Sequence, residues 1–404
     1  MYFNKIISSD FITVIYGEYM KKDILIFFAN VTAVVCAVAL IINFAPKFTE
    51  QIGFFNTGFA SVFYPQLVLE KNTDISVTKN ENSDNTNNTT SKSVISNVEG
   101  ISGKDSDLYS DITKIPDDIK KLMGDAEKNL EKEKMKGKTS EEPYFGGGTL
   151  VSYEKVEIQS KIPSSFYELN IESLLSKKAE LSIKDISQPT ILVYHSHTTE
   201  SYTLLDVGYY TESLALRTKD DGKNMVRVGD ELVKYLELQG FNVIHDREIH
   251  DESYNDSYSS SRKSVEKYLE EYPTIDITID VHRDDITYED GTKVKPTATI
   301  NGKKAARMMI ISGAEYGSVK NFPNWESNLI FNIAIQNKVE EKYPGVMRPI
   351  LFAERRYNMF ETKNSFLLEI GTSANTLDEA CYSARLFANA FGEMLKSEYV
   401  ENGD

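Results

Sequence analysis

The chain has 404 residues, of which 41% are hydrophobic and 26% are charged, and these proportions are those of an ordinary folded protein. The formal net charge of −16, without any basic stripe, argues against a nucleic-acid-binding protein. The two cysteines are Cys36, inside an apolar run, and Cys381, so the fold is expected to hold without an intramolecular disulfide.

One long apolar run marks the N-terminal region. Residues 24–45 are 22 residues without a charged side chain, and as a helix they would extend about 33 Å, enough to cross the hydrocarbon core of a bilayer. Lysines precede the run, so residues 1–23 are expected in the cytoplasm. A cleaved signal peptide is the alternative, but its apolar region would be only about 7–15 residues long. We therefore predict a single-pass anchor in the cell membrane, with the remainder of the chain extracytoplasmic.

The segment after the predicted anchor is poor in residues that could form a core. Residues 46–140 are predicted to be an extracytoplasmic linker, largely disordered or helical, because 71–100 are mainly Asn, Ser, Thr and Lys and 116–138 are highly charged. Residues 141–187 are predicted to be a lead-in that contains a strand. Three consecutive glycines precede that strand, but no lysine follows them until Lys155, so they do not form a phosphate-binding loop.

From about residue 188, apolar strands alternate with amphipathic helices. The segments TILVYH, FNVIHD, DITIDVH and SFLLEIG have the composition of buried strands. Helical stripes occupy 224–240, 257–273 and 324–345, and a closing helix follows the last strand. This alternation predicts an α/β fold, a three-layer sandwich with a mostly parallel central sheet, as one domain over residues 188–404.

Polar side chains that can bind ligands or transfer protons lie at the ends of three predicted strands. The stretch YHSHTTE places His195, His197 and Glu200 after the first strand, while His282 and Glu369 end two others. In a parallel sheet these carboxyl ends lie along one edge, where ligands bind. Two imidazoles and a carboxylate are the ligand set of a catalytic zinc ion, and a further carboxylate can act as general base. We predict that His197, Glu200 and His282 bind Zn²⁺ and that Glu369 is catalytic.

The ligand assignment has alternatives. His195 competes with His197 for one place, and only His197 has the three-residue spacing to Glu200. Glu212 is a second candidate for the carboxylate ligand. The remaining histidines, His245 and His250, are assigned no role.

Further polar residues near these strand ends are secondary candidates. A carboxylate beside a metal-binding histidine can orient the imidazole through its second nitrogen, and either Asp280 or Asp284, which flank His282, could do so. Four residues could contact substrate, namely Arg262, Arg283, Arg356 and Asn358, although structural ion pairing is the favoured account of each one taken singly.

Six stretches, in this order along the chain, resemble the stage II sporulation protein P family: ILVYHSHTTESY, SYSSSRKSV, TIDVHRDD, NGKKAARMMIISG, YPGVMRPI and LLEIGTSANTLDEA. The resemblance covers about residues 188–400, and the layout of anchor and linker is similar too. It implies a zinc-dependent N-acetylmuramoyl-L-alanine amidase, with endopeptidase activity, that degrades peptidoglycan during engulfment of the forespore. It also implies stage II sporulation proteins D and M as partners.

The same resemblance implies a fold shared by zinc amidases and zinc carboxypeptidases. In carboxypeptidases the first ligands come as His-x-x-Glu, which is what His197-Thr-Thr-Glu200 looks like, and the position of Glu369 is similar to that of their catalytic glutamate. Two other functions stay open: a metallocarboxypeptidase-like peptidase built on the same site, and an inactive scaffold in the engulfment machinery. The presence of both the predicted ligands and Glu369 favours an active enzyme.

Overall fold

The computed structural model describes residues 112–143 and 146–401. The predicted membrane anchor at residues 24–45, and most of the predicted linker, lie outside these residues. Among the helices that are described, none combines the length and the apolar character needed to cross a membrane.

Eight of the thirteen strands in the described residues form one large sheet. The strands are β1 (Met135–Glu141), β2 (Thr149–Tyr153), β3 (Val156–Ser160), β4 (Pro189–Tyr194), β5 (Tyr209–Thr211), β6 (Asn242–His245), β7 (Ile277–Asp284), β8 (Lys293–Lys295), β9 (Thr297–Ile300), β10 (Lys303–Ala306), β11 (Met308–Gly313), β12 (Ile350–Ala353) and β13 (Asn364–Thr372). The order across the large sheet is β2-β3-β12-β11-β13-β7-β4-β6. Its pairs are parallel except for β2–β3 and β11–β13, so the predicted α/β fold with a mostly parallel sheet is confirmed for the described residues.

Three of the six described helices begin at a residue whose side chain accepts a hydrogen bond from a backbone N–H group of the first turn. The bounds of all six are α1 (Asp117–Leu130), α2 (Ile171–Leu175), α3 (Met225–Glu237), α4 (Ser257–Glu271), α5 (Trp325–Lys342) and α6 (Leu377–Glu398). The side chain of Asn224 accepts a hydrogen bond from the N–H of Val226 at the start of α3. Thr376 and Glu379 form a reciprocal capping box at the start of α6. These side chains replace partners that the first turn of a helix lacks.

The two faces of the large sheet are covered unequally. On β4, Ile191 and Val193 belong to the main core, which lies under α3, α5 and α6. Leu192 and Tyr194 alternate with them and join a smaller apolar cluster with Val265 of α4. The face that carries α4 therefore has fewer apolar contacts, and this leaves room for polar side chains.

β7 shows how one strand serves both a core and a polar site. Ile277 and Val281 belong to the main core, while Asp280 and His282 alternate with them and are directed to the α4 face. Every residue of this strand is buried. A polar face at this depth requires partners for each group, and the site described below supplies them.

The domain begins earlier in the chain than the sequence predicted. β2 and β3, from the predicted lead-in at 141–187, form one edge of the large sheet. The predicted helical stretch at 116–138 is a helix only over α1, and β1 follows it as the middle strand of the small sheet β5-β1-β8. The boundary at residue 188 and the linker to residue 140 were therefore wrong, because pairing with distant strands incorporates both segments into the fold.

α1 is attached to the domain through apolar contacts, which include Ile119, Leu122 and Met123, and through a charged contact. Ile119 is fully buried in the main core. Asp118 pairs with Nε of Arg227 on α3 at 2.7 Å, and the guanidinium lowers the pKa of this carboxyl. The helix is thus part of the folded unit, although most of its surface is exposed.

The predicted Asn-Gly turn connects β9 to β10. Asn301 and Gly302 have φ values of 49° and 78°, and the flanking residues pair Lys303 with Ile300. Two left-handed residues in a two-residue loop match the twist of a β-hairpin. The hairpin is confirmed.

Candidate active site

Three neighbouring parallel strands bring the predicted site residues to one edge of the sheet. β13, β7 and β4 are adjacent and run in the same direction. Glu369 on β13 is the register partner of His282 on β7. His197 and Glu200 lie in the turn that follows β4. The direction of the strands, rather than proximity in sequence, assembles these four side chains.

His282 lies between two carboxylates. Its Nε2 is 2.8 Å from Oδ1 of Asp280, and its Nδ1 is 3.8 Å from Oε2 of Glu200. Burial alone would lower the pKa of His282, but the charge and hydrogen bond of Asp280, with smaller contributions from Glu200 and Glu369, raise it to about 9. The surroundings of this imidazole therefore favour a positive charge.

His197 is buried and has an aromatic neighbour on each side. Its ring stacks on Tyr254 with centroids 4.6 Å apart, and the ring of His282 lies 5.1 Å away at a steep angle. Burial and the charge of His282 hold the pKa of His197 well below its ordinary value. Its Nδ1 is buried and has no hydrogen-bond partner among the described residues. A neutral imidazole with an unpartnered nitrogen is the form that binds a metal ion.

Glu200 faces the imidazole of His282 on one side and a guanidinium on the other. Nη2 of Arg217 lies 3.5 Å from its Oε1. Arg217 also pairs with Asp251 and covers the ring of Tyr254 at 4.9 Å. Because the side chain of Arg217 is 37% exposed, it forms the boundary between the buried site and solvent.

Glu369 is a buried carboxyl group next to other acidic groups. Burial, followed by the charge of Asp284, raises its pKa to about 8, although His282 acts in the opposite direction. Its Oε2 is buried without a hydrogen-bond partner among the described residues. A carboxyl group with a pKa near neutrality can both accept and release a proton, as a general acid–base group must.

His195 does not join this group. Tyr194 ends β4 on the α4 face, so the next side chain is directed to the opposite face. Nδ1 of His195 lies 3.0 Å from the carbonyl oxygen of Val281, and its Nε2 lies 2.9 Å from Nε2 of His245. A Cβ at Gly229 of α3 would lie 2.7 Å from His195 Nε2, so this glycine leaves the space that the histidine pair occupies.

Two arginines among the secondary candidates have structural partners. Arg283 donates from Nε to the carbonyl of Ser201 and from Nη2 to that of Leu216, both at 2.7 Å. Arg283 therefore holds the loop after Glu200 in place through two of its backbone carbonyl groups. Arg262, on α4, pairs with Glu361 at 3.0 Å, and its side chain is 42% exposed.

The other secondary candidates divide between the interior and the surface. Asn358 is buried and donates from Nδ2 to Oγ of Ser261 at 3.0 Å. Asp280 is buried under His282 and accepts a hydrogen bond from the N–H of Ser196. Glu212 is exposed after β5, with its N–H bonded to the carbonyl of Lys134, so it is not grouped with the histidines.

Three tyrosines that the sequence analysis did not single out line the site. Tyr254 stacks on His197, Tyr258 lies parallel to the ring of His282 at 6.3 Å, and Tyr357 stacks on Tyr258 at 4.7 Å. Tyr357 has a φ of 42°, a left-handed conformation that is uncommon for a large residue and is frequent at functional sites. The spacing of four between Tyr254 and Tyr258 was the available signal, since such residues share one side of a helical turn.

A different group of side chains is packed more tightly. In the part of the chain that the structure describes, the ligand atoms of Asp246, Glu248 and His250 lie within 4.8 Å of one another. Nε2 of His250 is 2.8 Å from Asp246, and its Nδ1 is 3.1 Å from Oγ of Ser260 on α4. Both ring nitrogens already have hydrogen-bond partners, so these residues link the loop after β6 to α4.

The residues predicted to bind zinc are spaced more widely than that group, yet their donor atoms suit a metal ion. Nδ1 of His197 has no partner among the described residues, and Nδ1 of His282 faces the carboxylate of Glu200. Imidazole nitrogen and carboxylate oxygen are ligands that zinc takes. A cation would also offset the repulsion that raises the pKa of Glu369. The set of residues present therefore fits a zinc ion.

The fold and site together define an α/β protein with a buried histidine–carboxylate centre at the carboxyl ends of its parallel strands. A family model described as stage II sporulation protein P (SpoIIP) matches residues 66–392, which is most of the chain. This chain belongs to the stage II sporulation protein P family.

A curated relative and several solved structures are similar to the chain. Stage II sporulation protein P of Bacillus subtilis (strain 168) is 29% identical over 273 residues, which cover 62% of this chain and 64% of that protein. The match thus spans less than two thirds of the relative's length.

The solved structures have lower identity. The N-acetylmuramoyl-L-alanine amidase AmiC2 of Nostoc punctiforme is 10% identical, with 52% of this chain and 96% of that chain covered and a TM-score of 0.30. The CwlD amidase from Clostridioides difficile, solved in complex with the GerS lipoprotein, is 12% identical, with 52% and 99% covered and a TM-score of 0.30.

Proposed function

We propose that this chain is a zinc-dependent cell-wall hydrolase of sporulation, and specifically an N-acetylmuramoyl-L-alanine amidase. The observation that carries the proposal is the convergence of His197, Glu200, His282 and Glu369 at one edge of the sheet. Membership of the stage II sporulation protein P family supports the link to sporulation.

Three side chains would hold the zinc ion. The donor atoms are Nδ1 of His197, Nδ1 of His282 and the carboxylate of Glu200. Asp280 accepts from Nε2 of His282 and so presents the opposite nitrogen. Zinc supplies Lewis acidity and lowers the pKa of a bound water to about 7. His195, which faces α3, has no part in this set.

Glu369 would move the proton. Hydrolysis of the amide between the muramic acid lactyl group and L-alanine adds a hydroxyl to the carbonyl carbon and breaks the bond to nitrogen, which must gain a proton. The carboxylate of Glu369 accepts a proton from the attacking water and returns it to the leaving amine. Burial and the charge of Asp284 raise its pKa to about 8 in the metal-free protein, and a cation bound beside it would favour the carboxylate form that accepts the proton.

Residues at the boundary of the site would contact the substrate. Tyr254 and Tyr357 offer aromatic faces beside the candidate ligands. Arg217 is a partly exposed cation next to Glu200 and suits a carboxylate of the stem peptide. The same site would also cleave crosslinked stem peptides, which is the proposed endopeptidase activity.

The substrate implies a location outside the cytoplasm. We propose that residues 24–45 anchor the chain in the cell membrane with the N-terminus inside, so that the domain reaches peptidoglycan. The net charge of −16 provides no attraction to anionic wall polymers. Partners such as stage II sporulation proteins D and M would therefore bring the enzyme to its substrate.

The experiment compares muropeptide release by the zinc-loaded wild-type protein and by the Glu369→Gln variant, with Glu270→Gln as a control on the exposed side of α4. Glu369→Gln is expected to keep bound zinc and to lose at least about 100-fold in release of stem peptides, because the proton carrier is gone. Glu270→Gln should behave as the wild type. Equal release by Glu369→Gln and the wild type would contradict the assignment. A wild-type protein that binds zinc and releases no peptide would favour a scaffold.

A further inference from the structure

A chain of buried hydrogen bonds runs from the loop between β12 and β13 to the candidate ligand His282. Nδ2 of Asn358 is 3.0 Å from Oγ of Ser261, which is 2.8 Å from Oγ of Ser196, which is 2.6 Å from Oδ2 of Asp280. The residues of this chain come from four segments of the protein. Asn358, Ser261, Ser196 and Asp280 are each at most 2% exposed. Groups buried to this degree are costly unless they are paired, so the pairing specifies one arrangement.

The direction of donation along this chain follows from chemistry. Asp280 is a carboxylate and can only accept, so the single hydroxyl hydrogen of Ser196 is directed to it. Oγ of Ser261 has two acceptors, Oγ of Ser196 at 2.8 Å and the carbonyl oxygen of Tyr258 at 3.3 Å. Its hydrogen is directed to Ser196, because that contact is shorter and the hydrogen of Ser196 is already used. With its own hydrogen used, Ser261 can only accept from Asn358, which fixes the NH₂ group of the amide on that side. The carbonyl oxygen of Tyr258, 3.3 Å from Nδ2 of Asn358, is a second acceptor for the same group.

The last bond in the chain sets the form of the imidazole. Oδ1 of Asp280 is 2.9 Å from the N–H of Ser196 and 2.8 Å from Nε2 of His282. An acceptor on this side requires hydrogen on Nε2. The lone pair of a neutral His282 is then on Nδ1, which faces Glu200.

We propose that Ser196, Ser261 and Asn358 are positioning residues that hold Asp280 and thereby fix the Nε2–H tautomer of His282. This inference rests on the proposed function, since it explains how Nδ1 is presented to the metal ion. It assigns Asn358 an internal role in place of the predicted contact with substrate. The residue before it, Tyr357, has the left-handed conformation described above, so the same anchor holds the aromatic side of the site.

The chain of bonds also connects three separate segments of the protein. Ser196 lies in the turn after β4, Ser261 lies on α4, and Asn358 lies in the loop that precedes β13. Because each hydroxyl has one hydrogen to donate, removal of any member takes one hydrogen bond from its neighbour and weakens the hold on Asp280. We therefore expect a substitution at Ser261 or Asn358 to change the tautomer of His282, although neither residue is in contact with it.

The test uses the full-length protein, metal-free and labelled with ¹⁵N at histidine, because the chain has only five histidines to resolve. Long-range ¹H–¹⁵N spectra at high pH distinguish the two neutral tautomers of each imidazole, and a His282→Gln variant assigns the signal. In the wild-type protein His282 is expected to carry hydrogen on Nε2. In the Ser196→Ala and Asn358→Ala variants, His282 is expected to show a mixture of the Nε2–H and Nδ1–H tautomers. The matched control is Ser259→Ala, which changes an exposed serine on α4, the helix that also carries Ser261.

Zinc affinity, measured by competition with a chelator, gives the second readout. Ser196→Ala and Asn358→Ala are expected to bind zinc about 10- to 100-fold more weakly, and Ser196→Thr should restore both the affinity and the tautomer. If both alanine variants keep the wild-type tautomer and affinity, the positioning role is overturned. If the tautomer changes but the protein cleaves no peptidoglycan, the positioning role stands and the proposed reaction fails. Thermal unfolding confirms folding, and Ser261→Ala replaces any variant that does not fold.

Discussion

Glu369 and His282 are register partners on neighbouring parallel strands, so a carboxyl group and an imidazole project from the same face of the sheet at the same height. Both belong to strands that are buried along their whole length. The distance between them is set by strand pairing rather than by a loop, and rigid elements hold reacting groups more closely than loops do. The pKa of Glu369 should therefore depend on the burial and the charges of the groups that these strands hold around it.

The first prediction concerns the stability of the metal-free protein. The folded-state pKa of Glu369 is raised from 4.5 to about 8, first by burial and then by Asp284. A raised pKa means that the neutral acid suits the fold, so its contribution is complete below pH about 4.5 and is lost as pH rises through about 8. Glu369→Gln should be more stable than the wild type above pH 8, on the order of a few kcal/mol.

Urea unfolding in the presence of a chelator, repeated from pH 4 to pH 9, measures this difference. The two proteins should have similar free energies of unfolding at pH 4, where the carboxyl group is protonated in both states. Parallel curves across the whole range would contradict the raised pKa.

The second prediction separates the histidines by metal binding. His197→Ala and His282→Ala should each lose bound zinc, because each removes a donor atom of the proposed site. His195→Ala should keep zinc, since this side chain is directed to α3 and bonds to His245. His250→Ala serves as the comparison for the tighter group in the loop after β6. Zinc content by elemental analysis decides the matter, and loss of zinc only in His250→Ala would move the metal site to that loop.

The third prediction uses two glycines within helices. A Cβ at Gly229 of α3 would lie 2.6 Å from Nε2 of His245, whereas a Cβ at Gly124 of α1 would have no neighbour within 4 Å. Gly124→Ala should stabilise the protein by up to about 1 kcal/mol through helix propensity. Gly229→Ala should instead cost about 1–3 kcal/mol, because the histidine pair must move. Thermal or urea unfolding of both variants checks the opposite signs, and stabilisation by Gly229→Ala would show that the pair is not fixed in this position.

The fourth prediction compares a buried ion pair with an exposed one. Arg385 on α6 is 1% exposed, pairs with Glu231 at 3.1 Å, and donates to the carbonyl of Ile112 before α1. Arg385→Ala should cost about 3–5 kcal/mol, because Glu231 stays buried with one cation removed. Lys120→Ala, which removes an exposed pair with Asp117, should change the free energy of unfolding by less than about 1 kcal/mol. Similar effects of the two substitutions would mean that the segment before α1 does not depend on Arg385.

Much of the fold followed from local patterns in the sequence. The helices α3, α4, α5 and α6 and the strands β4, β6, β7 and β13 lie where the apolar periodicities put them. The Asn-Gly hairpin was also evident, because that turn needs two residues that tolerate positive φ. The site residues stand at strand ends, and the parallel arrangement of those strands explains why they meet.

Other features depend on contacts between distant residues, and local patterns do not contain them. β3 joins the large sheet by pairing with β12, almost two hundred residues later, so nothing near it in sequence reveals its place. The wall of tyrosines requires Tyr357 to approach Tyr258 from a separate loop. The orientation of His195, in contrast, was accessible, because simple alternation from Tyr194 sends it to the other face of the sheet.

The place of β2 and β3 in the sheet has a consequence for fragments of this protein. A fragment that starts at residue 188 would lack both strands and would leave β12 as an edge, with its backbone N–H and C=O groups open. It would also lose β1, the middle strand between β5 and β8. Unpaired edges of this kind recruit strands from other molecules. Such a fragment is expected to aggregate, whereas one that begins before Ile112 retains every strand found in the described residues.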